Sequence, residues 1–332
     1  MNTMEQKGNT LIPAIAYGDA AGLPVETQTA GYIEEKYGRI EHLMPTSENT
    51  YFSGEHAPGT WSDDTQLTMA VAKALIKANG FDMRAMVESH IEAYDATEEI
   101  FRKGKMIKRG WGGSTTDAME KLKAGVSPIE SGTYNGSGNG VLMKMAPLAY
   151  WQVARGTSDA ERYAQYDAIT NMTHDSATSR LTTRIHGDML KHLIGNGYNS
   201  DAFIEELQSS IAKHESDTRA GGEVSEILSY LPDVKNRNDI LQKTDAKGFY
   251  APQTLAMAYG AFMVNEGQFK NSVYEAVNLG GDTDSTGSIV ASMSVLVAPH
   301  EVLLPADHYE LDQLHSLERT SRQLASKALR LA

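Results

Sequence analysis

Apolar residues along this chain recur with the period of an α-helix, and sustained alternation of β-branched and polar residues is nearly absent. An apolar stripe of that period must be buried against a neighbouring layer, and a sequence that offers next to no sheet leaves other helices as that layer. In residues 64–78, Leu67, Val71 and Leu75 fall at i, i+4 and i+8, with Ala70 and Ala74 beside them. Residues 81–96 repeat the pattern through Met83, Met86, Val87, Ile91 and Tyr94. Further helices are expected over 159–172, 177–194, 201–213, 224–231, 253–265, 272–279 and 311–331, with Gly195-Asn196-Gly197 and Gly221-Gly222 marking breaks. Residues 39–44 and 51–53 read as short extended pieces. The fold is expected to be all-α. A length of 332 residues allows two domains, but no Pro-rich or Ser/Gly-rich tract, like-charge block or fixed-period repeat divides the chain. A single compact multi-helix domain over 1–332 is therefore expected.

Charge and composition narrow the partners. Thirty basic against 43 acidic residues leave a net charge of −13, which repels phosphate backbones and anionic lipid, so generic nucleic-acid or membrane binding is not expected. The chain has no cysteine, which removes disulfides, thiolate nucleophiles and Cys-ligated metals together and agrees with a reducing compartment. The apolar stretch 11–23 is broken by Pro13 and Asp19 and lacks a basic leader with a cleavage site. The run 289–298 ends at Pro299 and is too short for a bilayer of about 30 Å. A cytoplasmic location is expected.

Two acidic segments stand apart. Gly59-Thr60-Trp61-Ser62-Asp63-Asp64-Thr65 runs into the Leu67 helix, and Gly280-Gly281-Asp282-Thr283-Asp284-Ser285-Thr286-Gly287 runs into the Ile289 helix. Helix capping explains part of this, since Asp63 with Gln66 three residues on has the form of a capping box. One cap needs one acceptor, however, and here four carboxylates are flanked by two hydroxyls. Such hard oxygen ligands suit Mg²⁺, Mn²⁺ or Ca²⁺ rather than zinc. If the segments meet, four anions in a low-dielectric cleft require cations, and two divalent ions would neutralise them. A paired site of that kind can hold a substrate hydroxyl beside an activated water.

Other segments have the makings of a binding site. Asn135-Gly136-Ser137-Gly138-Asn139-Gly140 lets backbone N–H groups approach a phosphate, although the ending of a P-loop is missing. Thr173-His174-Asp175 opens a helix, where His174 serves as a cap, a satisfied polar group or a ligand contact. Residues 98–113 carry Arg102, Lys103, Lys105, Lys108 and Arg109, either a solvated helix face or a positive rim for a phosphorylated ligand.

Together these segments resemble the ADP-ribosylglycohydrolases. Gly18-Asp19-Ala20-Ala21-Gly22-Leu23-Pro24-Val25-Glu26 resembles their N-terminal motif, Trp61-Ser62-Asp63-Asp64-Thr65 and Gly281-Asp282-Thr283-Asp284-Ser285 their two metal motifs. Gly138-Asn139-Gly140 with Met143 and Pro147 is similar to the phosphate-loop helix, and Thr173-His174 to the ligand-contacting turn. The order is the family's and the matches span residues 17–288. Ser62 and Ser285 stand where threonine is common, and Lys144 where arginine is expected, a point charge in place of a planar fork.

The resemblance implies an all-α fold with a binuclear centre of Mg²⁺ or, second, Mn²⁺, and a hydrolase that cleaves the glycosidic bond between ADP-ribose and an acceptor. It implies Ser62, Asp63, Asp64, Asp282, Asp284 and Ser285 as metal ligands, and Glu26, Asp63 and Asp284 as the catalytic set. It places Ser137, Gly138, Asn139 and Gly140 against the diphosphate and His174 against the ligand. The partner would be an ADP-ribosylated protein or small molecule, with ADP-ribose as product. Two other readings stand beside it: a two-metal phosphoester hydrolase, which would release AMP, and an ADP-ribose-binding module without turnover. Selectivity among acceptors is expected from loops around the site, with residues 97–113 the candidate.

Overall fold

The structure is a computed structural model that describes residues 3–47, 49, 52–102, 104–215, 220–303 and 305–330. Among them the chain forms helices α1 (Met4–Gly22), α2 (Ala30–Tyr37), α3 (Asp63–Ala78), α4 (Met83–Ala96), α5 (Gly113–Lys123), α6 (Ala146–Arg155), α7 (Asp159–Asn171) and α8 (Ala177–Asn196). They continue as α9 (Ser200–Glu215), α10 (Gly221–Leu228), α11 (Arg237–Lys243), α12 (Ala251–Val264), α13 (Phe269–Asn278), α14 (Thr283–Val297) and α15 (Leu314–Leu329). Strands are confined to a hairpin of β1 (Glu99–Arg102) with β2 (Lys105–Lys108) and a two-residue parallel pair of β3 (Thr133–Tyr134) with β4 (His174–Asp175). The fold is all-α, as the periodicity requires, and no described helix is long and apolar enough to cross a membrane.

The centre of the molecule is α1 lying along α14, with α15 and α3 against α1 and with α12 and α13 against α14. The two central helices approach at backbone distance because glycines face each other. A Cβ on Gly18 would stand 2.3 Å from the Gly287 carbonyl oxygen, and one on Gly22 would stand 2.1 Å from that of Thr283. The side chains of α1 are buried almost continuously from Leu11 to Gly22. That burial explains why the apolar stretch 11–23, with Pro13 inside it, is helical without an amphipathic stripe. Helices α2, α5, α6 and α11 are likewise additions to the helices expected from the sequence.

Three sequence expectations change. Residues 39–44 form no strand: the Ile40 N–H is taken by Asn278 Oδ1 at 3.0 Å and the Leu43 N–H by Asp307 Oδ2 at 2.6 Å, so side chains replace a ladder. Tyr51 of the second extended piece lies outside the described residues, and Phe52 and Ser53 sit in a turn closed on the Asn49 carbonyl. Residues 98–113 are a hairpin and its flanks rather than a helix face, with Ile100 opposite Ile107 and Phe101 opposite Met106. The last helix ends at Leu329, and Leu331 and Lys103 lie outside the described residues.

Candidate metal and substrate site

The two acidic segments meet at the end of α1. Asp19, fully buried near that end, accepts from the Ser62 N–H at 2.9 Å, the Thr65 N–H at 3.0 Å and the Thr65 hydroxyl at 2.6 Å. This carboxylate therefore holds the first turn of α3 against α1. On the other side, Thr283 donates its hydroxyl to the Gly22 carbonyl at 2.7 Å, which ties α14 to the same end. The strand-like exchange of Thr27 N–H to Gly281 O and Gly281 N–H to Gln28 O, each 2.7 Å, brings Glu26 to the Asp282 loop. Gly281 holds φ at 79° and a Cβ there would meet the Lys247 carbonyl at 2.4 Å, so both the turn and the close approach need glycine.

Capping does not account for these carboxylates. The cap of α3 is the Ser62 hydroxyl, which accepts from the Asp64 N–H at 3.2 Å; Asp63 is the first helical residue, so the Asp63/Gln66 capping box does not form. Gln66 instead accepts from Thr97 and Trp111. Asp282 occupies the cap position of α14 but makes no side-chain cap bond. Its carboxylate accepts from Asn139 Nδ2 at 2.7 Å.

Glu26, Asp282 and Asp284 each present a carboxylate oxygen within 4.8 Å of the others. Asp64 joins them through Ser285 Oγ, which donates to it at 3.3 Å, and Ser288 Oγ, at 3.1 Å. With Asp63 and Asp19, six carboxylates share one region, and among the described residues none of the six forms a salt bridge. Burial, then the Asp284 charge, pushes Glu26, Asp63, Asp64 and Asp282 well above the ordinary carboxylate range and Asp19 up to about 7. A cluster whose members repel one another to that degree, built from hard oxygen donors, fits a divalent cation. A cation close enough to feel Asp63 is Lys144, fully buried, with no hydrogen-bond partner at Nζ; burial lowers it to about 7 against the pull of Asp63. It does not line the cleft.

The cluster opens into a cleft of about 290 Å³. Gly138, Asn139, Gly140 and His174 line it together with the acids, whereas Ser137 and Ser62 are not part of the lining. The Gly138–Gly140 loop enters a short 3-10 turn, Leu142–Lys144, before α6 begins. Asn139 spends its amide on Asp282 and the Gly248 carbonyl. His174 lies in β4, not at the cap of α8, which is Ser176; burial, then the Lys144 charge, lowers its imidazole to about 3, so it is neutral. Against Gly140 a Cβ would come 3.1 Å from His174 Cε1, so a side chain there would press on the imidazole.

Sequence reasoning missed Asp19 and Asn49 as parts of this site. Asn49 Nδ2 donates to Glu26 Oε2 at 2.6 Å and to the Leu23 carbonyl at 2.8 Å. Asp19 was legible as part of the Gly18–Glu26 motif, whereas nothing local marks Asn49, which reaches Glu26 from 23 positions away. Gly110–Gly113, the end of the candidate loop 97–113, line the cleft, and Ser114, Thr115 and Phe249 line it without a sequence signal.

The geometry defines a helical protein with a buried acidic cluster at the floor of a polar cleft. The ADP-ribosylglycohydrolase family model matches residues 12–327, so the chain belongs to the ADP-ribosylglycohydrolase family. It is 24% identical over 285 residues to the ADP-ribosyl-[dinitrogen reductase] glycohydrolase of Rhodospirillum rubrum, covering 84% of this chain and 81% of that protein. It is 26% identical over 245 residues to the ADP-ribosylarginine hydrolase Tri1 of Serratia proteamaculans, 71% of this chain and 60% of that one. A solved structure described as an ADP-ribosylglycohydrolase-related protein complex superposes with a TM-score of 0.71 at 21% identity, covering 99% of this chain and all of the other.

Proposed function

We propose that this protein, acting as one domain over 1–332, is a metal-dependent hydrolase that removes ADP-ribose from an acceptor. The observation that carries the reading is the convergence of Glu26, Asp282 and Asp284 in a cleft that Gly138–Gly140 and His174 also line. The relatives named above support an ADP-ribosylated protein as the substrate class. Ser62, Asp63, Asp64, Asp282, Asp284 and Ser285 would hold two divalent ions, Mg²⁺ first and Mn²⁺ second. When bound, such ions fix vicinal ribose hydroxyls and lower the pKa of water.

The chain's own residues supply the rest. Backbone N–H groups of Gly138–Gly140 suit a diphosphate, which the glycines allow to approach closely. Neutral His174 has Nδ1 engaged with the Thr173 hydroxyl at 2.9 Å, which leaves Nε2 to orient the ligand without adding charge. Cleavage exchanges the bond from the anomeric carbon to the acceptor for a bond to a water oxygen, and the acceptor leaves with one water proton. Positive charge develops on the sugar as that bond lengthens, and the carboxylates of Asp63 and Asp284 would stabilise it. Glu26, partly open to the cleft and held in place by Asn49, takes the water proton and passes it to the departing acceptor.

The deciding experiment incubates the protein with acceptors carrying one defined ADP-ribosyl linkage, with Mg²⁺, with Mn²⁺ and with chelator. Free ADP-ribose released only with metal is the expected result. Release of AMP would turn the reading to a phosphoester hydrolase, and ADP-ribose binding without turnover would turn it to a binding module.

A further inference from the structure

We infer that the outer face of α15, with Ile76 of α3 beside it, is a docking groove for an acidic segment of a partner protein. The groove has a volume of about 460 Å³ and shares no residue with the metal cleft. Arg319, Arg322, Lys327 and Arg330 line it together with Ile76. Positions three, eight and eleven beyond Arg319 fall on the same face of a helix, so the four cations form one row. Ile76 opens onto the same space from the neighbouring helix, which adds an apolar contact to that row.

Little within the chain neutralises these cations. Glu318 is the one carboxylate of α15, and it reaches Arg322 at 3.5 Å. Among the described residues no carboxylate pairs with Arg319, Lys327 or Arg330, nor with Lys73, exposed one turn before Ile76 on α3. Arg155 comes to the far end of the row and donates to the Lys327 carbonyl at 2.8 Å and to Asn79 Oδ1 at 3.0 Å, again without a carboxylate. The helix dipole explains Lys327 and Arg330, which stand at the C-terminal end. It does not explain Arg319 and Arg322, which sit mid-helix, three positions apart, where like charges repel. A chain with 43 acidic and 30 basic residues has carboxylates to spare for them, yet the row stays open. Cations lining a concavity are complementary to a run of carboxylates. From Arg319 to Arg330 the row is about 17 Å long, the reach of about five extended residues. A second copy docking here about a twofold axis would set the row against itself. A nucleic acid or an anionic membrane would meet the remaining surface of a protein of net charge −13, whereas a short acidic segment meets only the groove.

The test is run without metal or substrate, so it does not depend on the reaction proposed above. A labelled Glu-rich peptide with one central Leu is titrated by anisotropy with wild type, Arg319→Glu, Arg319→Gln/Arg330→Gln and, as a control of equal charge change elsewhere, Lys235→Glu. All these positions are exposed, and circular dichroism with a melting curve checks that each variant is folded. Salt is held at about 0.15 M, where charges further apart than about 8 Å are screened. The expected result is that wild type and Lys235→Glu bind the peptide alike and both arginine variants bind about tenfold more weakly. Equal affinity for wild type and the arginine variants, an equal loss in Lys235→Glu, or no binding by wild type would overturn the groove. A peptide with Ser in place of Leu should bind more weakly, and equal affinity would take Ile76 out of the contact. The same proteins are titrated with oligouridylate RNA and with phosphatidylserine vesicles. Tighter binding of either than of the peptide, lost in the same arginine variants, would overturn the protein partner and give the groove to a phosphate surface.

Discussion

Replacing Asp284 by Asn should stabilise the metal-free protein while abolishing its response to metal. Burial raises Asp19, Glu26, Asp63, Asp64 and Asp282, and the Asp284 charge raises all five further; its carboxylate oxygen lies within 4.8 Å of those of Glu26 and Asp282. Two unit charges at that separation repel by about 3 kcal/mol at an effective dielectric of about 20. Asn keeps an oxygen to accept from the Ser285 N–H and an amide to face Asp282, so the packing is retained while one charge is lost. A chain of 332 residues has an unfolding entropy near 0.7 kcal/mol/K, so the chelated variant should melt about 4–5 °C above chelated wild type at pH 8. The gain should fade toward pH 5. The folded carboxyls have raised pKa values, so they bind protons that the unfolded chain has released, and wild-type stability without metal falls as pH rises from about 4 past 7. With metal at about 100 times its Kd, wild type should gain about 2.7 kcal/mol, or about 4 °C, and the variant nothing. Scanning calorimetry at pH 5 and pH 8, with and without chelator, measures all four quantities. If Asp284 served only the dipole of α14, its loss would instead cost about 0.3–1 kcal/mol at any metal level. A chelated variant melting below chelated wild type at pH 8 would therefore refute the repulsive cluster.

Further consequences are open to measurement. Asp63→Asn, Asp64→Asn and Asp282→Asn should each remove metal-dependent turnover in a folded protein; normal rates with a stability loss of about 1 kcal/mol would mean that they act only as helix-end groups. Glu26→Gln should cut single-turnover rate by about 10²–10⁴-fold while ADP-ribose affinity by calorimetry is retained, and a wild-type rate would take the proton-transfer role from it. Gly22→Ala should destabilise by about 1–3 kcal/mol, because its methyl group would strike the backbone of Thr283 and Asp284. The same variant should weaken the metal-induced rise in melting temperature, and a normal rise would show that α14 yields without moving Asp284.

Helices such as α3, α4 and α8 were legible because one apolar face repeats over several turns, and a period is a property of the chain alone. The acidic segments were legible for a similar reason: more carboxylates stand at two helix starts than helix ends use. Helix α1 was not legible, since a helix buried on every side has no stripe to read. The hairpin was hidden for a different reason, as its pairing is set by anchors on Glu98, Thr97 and Phe52 rather than by alternation. What the chain carries locally is therefore the kind of donor and the period of burial. Which donors meet was decided only in three dimensions. The backbone approach of α1 to α14 at Gly18 and Gly22 joins segments more than 200 positions apart, and Asp19 and Asn49 then aim α3 and Glu26 at one point. Contact between distant segments depends on packing that no local window of sequence contains.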